Sequence, residues 1–171
     1  MSGAQPVRWT LADFAALTPY DLYDVLQLRS EVFVVEQACA FLDLDGADAQ
    51  ALHLLGHLGG QLAAYARCFG PGVKYREASV GRIVTRGSVR SAGLGHDLVE
   101  RAIAAVAGRW GPQAIRIGAQ ARLQDFYQRH GFTDAGVPYV EDGIDHLEML
   151  WQPSPSAAAS TRANFVNRRQ E

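Results

Sequence analysis

The chain has 171 residues, 48% of them hydrophobic, and a formal net charge of -2; that length buries one sizeable core rather than two, and the balanced charge offers no overall attraction for nucleic acid or anionic lipid. Cys39 and Cys68 form no CxxC pair, which excludes a paired redox motif and fits reduced packing thiols. The opening MSGAQPVRWT has no signal-peptide pattern and no run of about 18 apolar residues occurs, so a cytoplasmic chain with small-molecule partners, no nucleic acid and no membrane is expected.

The first helix is expected in TPYDLYDVLQLRSEVFVVEQ, residues 18–37. Thr18 can cap it, Pro19 suits the first helical position, and Asp21 lies at the favourable end of the dipole. Helical spacing puts Leu22, Leu26, Arg29 and Phe33 on one face. FLDLDGADAQA, residues 41–51, reads as a solvated acidic turn. HLLGHL and LAAYARCFG then flank Gly59-Gly60, which predicts two antiparallel strands joined by a hairpin. YREASVGRIVT reads as a further central strand running into the glycine loop RSAGLG at 90–95. In the helix that follows, Leu94, Leu98, Val99, Ala102, Ile103 and Val106 form an apolar stripe, with Gly108 as the expected stop.

GPQAIRIGAQ supplies another strand, and RLQDFYQRHGF a short helix carrying Leu123, Phe126, Tyr127 and His130 on one face, stopped by Gly131. Next come GFTDAGV, the acidic turn EDGID, and the strand HLEMLW. After Trp151, QPSPSAAAS has no periodicity, so residues 152–171 are expected as a flexible tail. The order strand, glycine loop, helix, strand, helix is a βαβα core, hence an α/β fold.

A strand that turns through glycines into a helix presents unpaired N–H groups at the positive end of a dipole, where phosphate binds. An ordinary turn that uses glycine only for its dihedrals is the alternative. No GxxxxGK[ST] string occurs, and a GxGxxG fingerprint fails at its third position, where Leu98 stands. RxxGxG is matched in full by Arg90, Gly93 and Gly95.

RxxGxG after a strand resembles the acyl-CoA loop of the GCN5-related N-acetyltransferase (GNAT) family, and DFYQRHGF at 125–132 is similar to that family's later helix. LRSEVFVVEQACAFLDLDGAD, AQARLQDFYQRHGF and YVEDGIDH narrow the resemblance to its ElaA-like subgroup. One difference stands at the start of the later helix, where many relatives carry Asn and this chain has Ala119-Gln120. The resemblance implies a single GNAT-like domain over residues 1–151. Its central mixed, twisted sheet would have six or seven strands flanked by helices, splayed between the fourth and fifth, here residues 78–85 and 114–118. It also implies acetyl-CoA as co-substrate and direct transfer of the acetyl group to a primary amine of a small molecule or peptide.

On the same resemblance, Arg90, Ser91, Ala92, Gly93, Leu94 and Gly95 would hold the pyrophosphate. Arg82, Ile83, Val84, Gln120 and Tyr127 would hold the pantetheine arm, and Phe33, Glu36, Glu141 and Asp142 the acceptor. Tyr127 is the expected general acid: a phenol with an ordinary pKa of about 10 stays protonated at neutral pH and can donate to a departing thiolate. For the base, Glu36, Glu141, His53 and His146 are candidates, of which Glu36 and His146 lead, with water doing the work as the alternative. The carboxylates Glu36, Asp43, Asp45, Asp48, Glu141, Asp142 and Asp145 would together favour a cationic acceptor.

No metal is expected. The HxxxH at His53 and His57 lacks the glutamate of a zinc helix, and the acidic stretch from Asp43 has Leu54 where a calcium loop needs glutamate. A homodimer is compatible with the sequence. A non-catalytic acyl-CoA sensor and a dinucleotide-binding oxidoreductase module are the alternative functions.

Overall fold

A computed structural model describes residues 5–90 and 93–154. The Thr18 hydroxyl accepts from the Asp21 amide at 3.1 Å while the Thr18 amide donates to Asp21 Oδ2 at 3.0 Å, so a capping box opens α1, Pro19–Arg29. Beyond Arg29 the chain winds as a π-helix, Ser30–Glu36; Gln37 N donates to Val32 O and Cys39 N to Val34 O, both at 3.1 Å.

Seven strands make one mixed sheet: β1 (Arg8–Asp13), β2 (Leu52–Leu58), β3 (Gln61–Phe69), β4 (Ala78–Thr85), β5 (Ile115–Gln120), β6 (Thr133–Glu141) and β7 (Ile144–Trp151). Their spatial order is β1-β2-β3-β4-β5-β7-β6, with only the β4–β5 pair parallel. The helices α2 (Leu94–Trp110) and α3 (Gln124–Gln128) complete the fold. Adjacent residues of a strand point to opposite faces, and Leu55 packs with Val25, Leu28 and Val32 while Leu54 packs with Leu98, Val99 and Ala102. Thus α1 covers one face and α2 the other, and β2 and β3 read as unbroken apolar runs because both their faces are covered.

Several local expectations are corrected. The buried face of α1 is Val25, Leu28 and Arg29, continued by Val32 in the π-helix, not the stripe through Leu22, Leu26 and Phe33. Arg29 is fully buried at its centre because two aspartates neutralise it, and the π-turn shifts Phe33 onto the wall of a cavity. Gly108 lies inside α2, which continues to Trp110 and stops at Gly111, whose φ of +82 no longer fits a helix. β1, which pairs with β2, is a strand that the sequence pattern does not announce, since its residues are exposed or half-buried. The hairpin at Gly59-Gly60 forms as expected, with φ of +59 and +82. Asp142 and Gly143, at +50 and +77, close β6 on β7 in the same way. The tail expected from 152 lies outside the described residues from 155 onward.

Candidate active site

β4 and β5 pair only at Ala78 with Ile115 and at Ser79 with Arg116. Beyond these residues β5 stays bonded to β7 as far as Gln120, while the edge of β4 has no strand beside it. The splay opens a cavity of about 620 Å³, walled by Val80–Thr85 on one side and Ile117, Gly118 and Gln120 on the other. Free N–H and C=O groups on such an edge are a template for an extended ligand.

A β-bulge re-aims this edge. Ala66 on β3 faces two residues of β4, Arg82 and Ile83, and Arg82 takes a left-handed φ of +52. A non-glycine residue there costs on the order of 1 kcal/mol, and its side chain is correspondingly well anchored. Arg82 donates from Nε to Asp43 Oδ1 at 2.6 Å and from Nη2 to Asp43 O at 3.1 Å, with its guanidinium near the rings of Phe33 and Phe41. Asp43 is itself buried and accepts from Arg29 Nε at 2.7 Å. Asp48 accepts from Arg29 and Arg67, and Asp45 from Arg67 and Lys74. The expectation of a solvated acidic turn is therefore wrong: three carboxylates meet four cations, and they clamp the bulge instead of rimming the cavity. His53, a candidate base, belongs to the same buried region, donating from Nε2 to Asp48 O and accepting from Tyr65 Oη.

At one end of the cavity Gly93 is the N-cap of α2 with φ +78, and a Cβ built on it meets no atom within 4 Å. Leu94 and Gly95 follow in the first helical turn, where amides lack intrahelical acceptors. Arg90 forms a two-pronged ion pair with Glu36, its Nη2 lying 3.0 Å from Oε2, and donates to Thr85 O. The hydrogen bond from Arg90 holds the Glu36 carboxyl below its usual range.

Tyr127 is buried on the cavity wall, and its hydroxyl has no hydrogen-bond partner among the described residues. Burial pushes its phenol above the ordinary value. His146 faces the same cavity from β7, opposite Gln120 on β5 and Tyr139 on β6. Its Nδ1–H donates to Ile144 O at 2.7 Å, which leaves Nε2 as the basic nitrogen, 3.9 Å from Glu141 Oε2. Tyr139 stacks on the imidazole with 5.2 Å between ring centres.

Residues 43–153 match the family model described as "Acetyltransferase (GNAT) domain". The chain belongs to the GNAT acetyltransferase family. Within it, the chain is similar to the ElaA protein of Escherichia coli, 35% identical over 145 residues that span 84% of this chain and 95% of that protein. It is 38% identical to a UPF0039 protein of Synechocystis over 88% of this chain and 98% of that one. A crystal structure titled as an acyl-CoA N-acyltransferase from Pseudomonas aeruginosa superposes with a TM-score of 0.81 at 40% identity, covering 85% of this chain and 99% of that one.

The GNAT splay between the fourth and fifth strands and the seven-stranded mixed sheet are as expected. One cavity gathers Phe33, Glu36, Arg82, Ile83, Val84, Arg90, Gly93, Leu94, Gly95, Gln120, Tyr127, Glu141, Asp142 and His146. Ser91 and Ala92 lie outside the described residues. Asp43, Asp45, Asp48 and Asp145 are not on this wall, which corrects the expectation that they draw in a cationic acceptor. The GNAT match also sets aside the dinucleotide-binding module; Leu98, at the position where that fingerprint requires glycine, is fully buried in the core. Gln120 stands near the start of the later helix with both ends engaged, donating to Gln37 Oε1 at 3.1 Å and accepting from Arg122 at 3.0 Å.

Gly118, His96 and Phe126 also wall the cavity and escape the sequence reading. Phe126 carried a signal in sharing the helical face of Tyr127, and Gly118 in being a glycine inside a strand: it leaves room for the Tyr139 hydroxyl, which a Cβ would meet at 2.2 Å.

Proposed function

We propose that this protein transfers the acetyl group of acetyl-CoA to a primary amine of a small molecule or peptide by direct attack. The observation that carries the reading is the single cavity that joins a free β4 edge, the left-handed cap of α2 and the Tyr127 hydroxyl. The cavity fits the co-substrate: the edge from Val80 onward offers backbone partners to a pantetheine arm, and open space above Gly93 leaves room for pyrophosphate at a helix N-terminus. Acetyl-CoA supplies the activated thioester.

The residues of this chain divide the remaining work. Backbone N–H groups around Arg82–Val84 polarise the thioester carbonyl, stabilisation of the oxyanion type worth a few kcal/mol. His146 Nε2 takes the proton of the attacking amine, and Glu141 beside it stabilises the imidazolium that results. Tyr127 keeps its proton at neutral pH because burial penalises the phenolate, and gives it up as charge collects on the leaving sulfur. Glu36 is better suited to hold Arg90 than to act as base, since that ion pair lowers its proton affinity. Phe33 and Asp142 stand with Glu141 on the wall available to the acceptor.

Steady-state kinetics of Tyr127→Phe with acetyl-CoA and a panel of amines tests the proposal. kcat should fall about a hundredfold while affinity for CoA is kept. Unchanged turnover would remove Tyr127 as the acid. CoA binding without turnover of any amine by the unmodified protein would favour an acyl-CoA sensor.

A further inference from the structure

His96, the third residue of α2 and part of the cavity wall, meets His130 across a 2.8 Å contact between Nδ1 of one and Nε2 of the other. Phe126 packs on both rings, with centroids 4.8 Å and 5.4 Å away, and Glu100 Oε1 lies 4.0 Å from His130 Nδ1. A hydrogen bond between two imidazoles needs one proton in it, so one ring donates and the other accepts. Glu100 favours the tautomer of His130 with N–H on Nδ1. Nε2 of His130 is then the acceptor, His96 donates from Nδ1, and His96 Nε2 is left with a bare lone pair. Neither outer ring nitrogen has a hydrogen-bond partner among the described residues, and of the two it is His130 Nδ1 that has a carboxylate nearby, at 4.0 Å.

One added proton on His96 Nε2 preserves the bond between the rings and turns a lone pair into a cationic donor. A second would set two N–H groups against each other across 2.8 Å. The pair therefore stores one proton and no more. The groups that face it are Glu100 from α2, which favours that proton, and Phe126 from α3, which is apolar.

We propose that the His96–His130 pair is a proton-linked part of the cofactor's anion site: seating the pyrophosphate at the first turn of α2 draws one proton onto His96 Nε2, so affinity for CoA rises as pH falls. This rests on the acetyl-CoA reading above. Burial and the neighbouring His96 hold the free His130 ring below its ordinary value. An anion raises the proton affinity of the pair. The gain in binding is complete below the pKa of the free pair and is lost as pH rises through that of the complex. The slope of log affinity against pH cannot exceed one, and roughly a threefold to tenfold weakening is expected between pH 6 and 8.

Isothermal titration of the full chain with CoA, in two buffers of different ionisation enthalpy near pH 6.5, reads the proton directly. The 3′-phosphate of CoA also titrates near pH 6, but equally with wild type and with His96→Asn, so their difference isolates the pair. Wild type should take up a larger fraction of a proton than His96→Asn and show the steeper pH dependence. His96→Arg, with a fixed charge, should hold its affinity at pH 8 without uptake. CoA binding with equal uptake by wild type and His96→Asn would overturn this inference alone. Absence of CoA binding by wild type would overturn the cofactor reading and this inference with it.

Discussion

Replacing Gly93 by alanine separates a turn from an anion site. With φ +78 and ψ -2 at this cap, an L-residue costs roughly 1–2 kcal/mol. The added Cβ meets nothing within 4 Å, so no clash adds to that figure, and Tm should fall by about 2–4 °C per kcal/mol in a domain of this size. If the open space is where the pyrophosphate sits, the methyl group also pushes the ligand off the first-turn amides. Affinity for CoA should then fall at least tenfold, about 1.4 kcal/mol. Gly72 supplies the control: its φ is +84, a Cβ there also meets nothing within 4 Å, and it is not on the cavity wall. Gly72→Ala should lose a comparable amount of Tm and keep its affinity. Calorimetric titration with CoA and thermal scans on both variants decide the matter. A Gly93→Ala protein that loses stability yet binds CoA like wild type would refute the anion-site reasoning and leave the loop as a turn.

Gly118→Ala forces a Cβ to 2.2 Å from the Tyr139 hydroxyl and should destabilise by about 1–3 kcal/mol. Adding Tyr139→Phe removes that oxygen and should restore most of the loss, a coupling that a double-mutant cycle of thermal denaturation would measure. His146→Gln should lower kcat/KM on the order of a hundredfold while leaving CoA affinity unchanged, as steady-state kinetics and calorimetric titration would show. Hydrogen bonds from Arg67 hold the Asp45 carboxyl well below its ordinary value, with Lys74 assisting. A depressed carboxylate stabilises above its unfolded pKa of about 4, and that contribution is lost as pH falls further. Asp45→Asn should therefore lower Tm at pH 7 and converge with wild type in strong acid, as thermal scans across pH would show.

What the chain encodes locally was legible. The capping box at Thr18 and Asp21, the Gly59-Gly60 hairpin and the stripe of α2 each depend on residues a few positions apart, so the sequence carries them whole. The cavity wall was legible too, through two motifs that a resemblance ties to one reaction. The face of α1 was not. Helical spacing puts Arg29 on one face with Leu22, Leu26 and Phe33, but it packs with Val25 and Leu28 because Asp43 and Asp48, 14 and 19 residues away, neutralise it.

The sequence by itself determined how the first helix is capped, where the Gly59-Gly60 hairpin turns, and that a glycine loop opens a helix. Tertiary structure alone decided that Arg82 holds a left-handed bulge and that an acidic stretch serves as a clamp. It also joined His96 to His130, 34 positions apart. The reason is physical. Helix caps and turns are satisfied by neighbours along the chain, whereas a buried charge, a strained φ or a shared proton is stable only beside a partner that folding brings from far away.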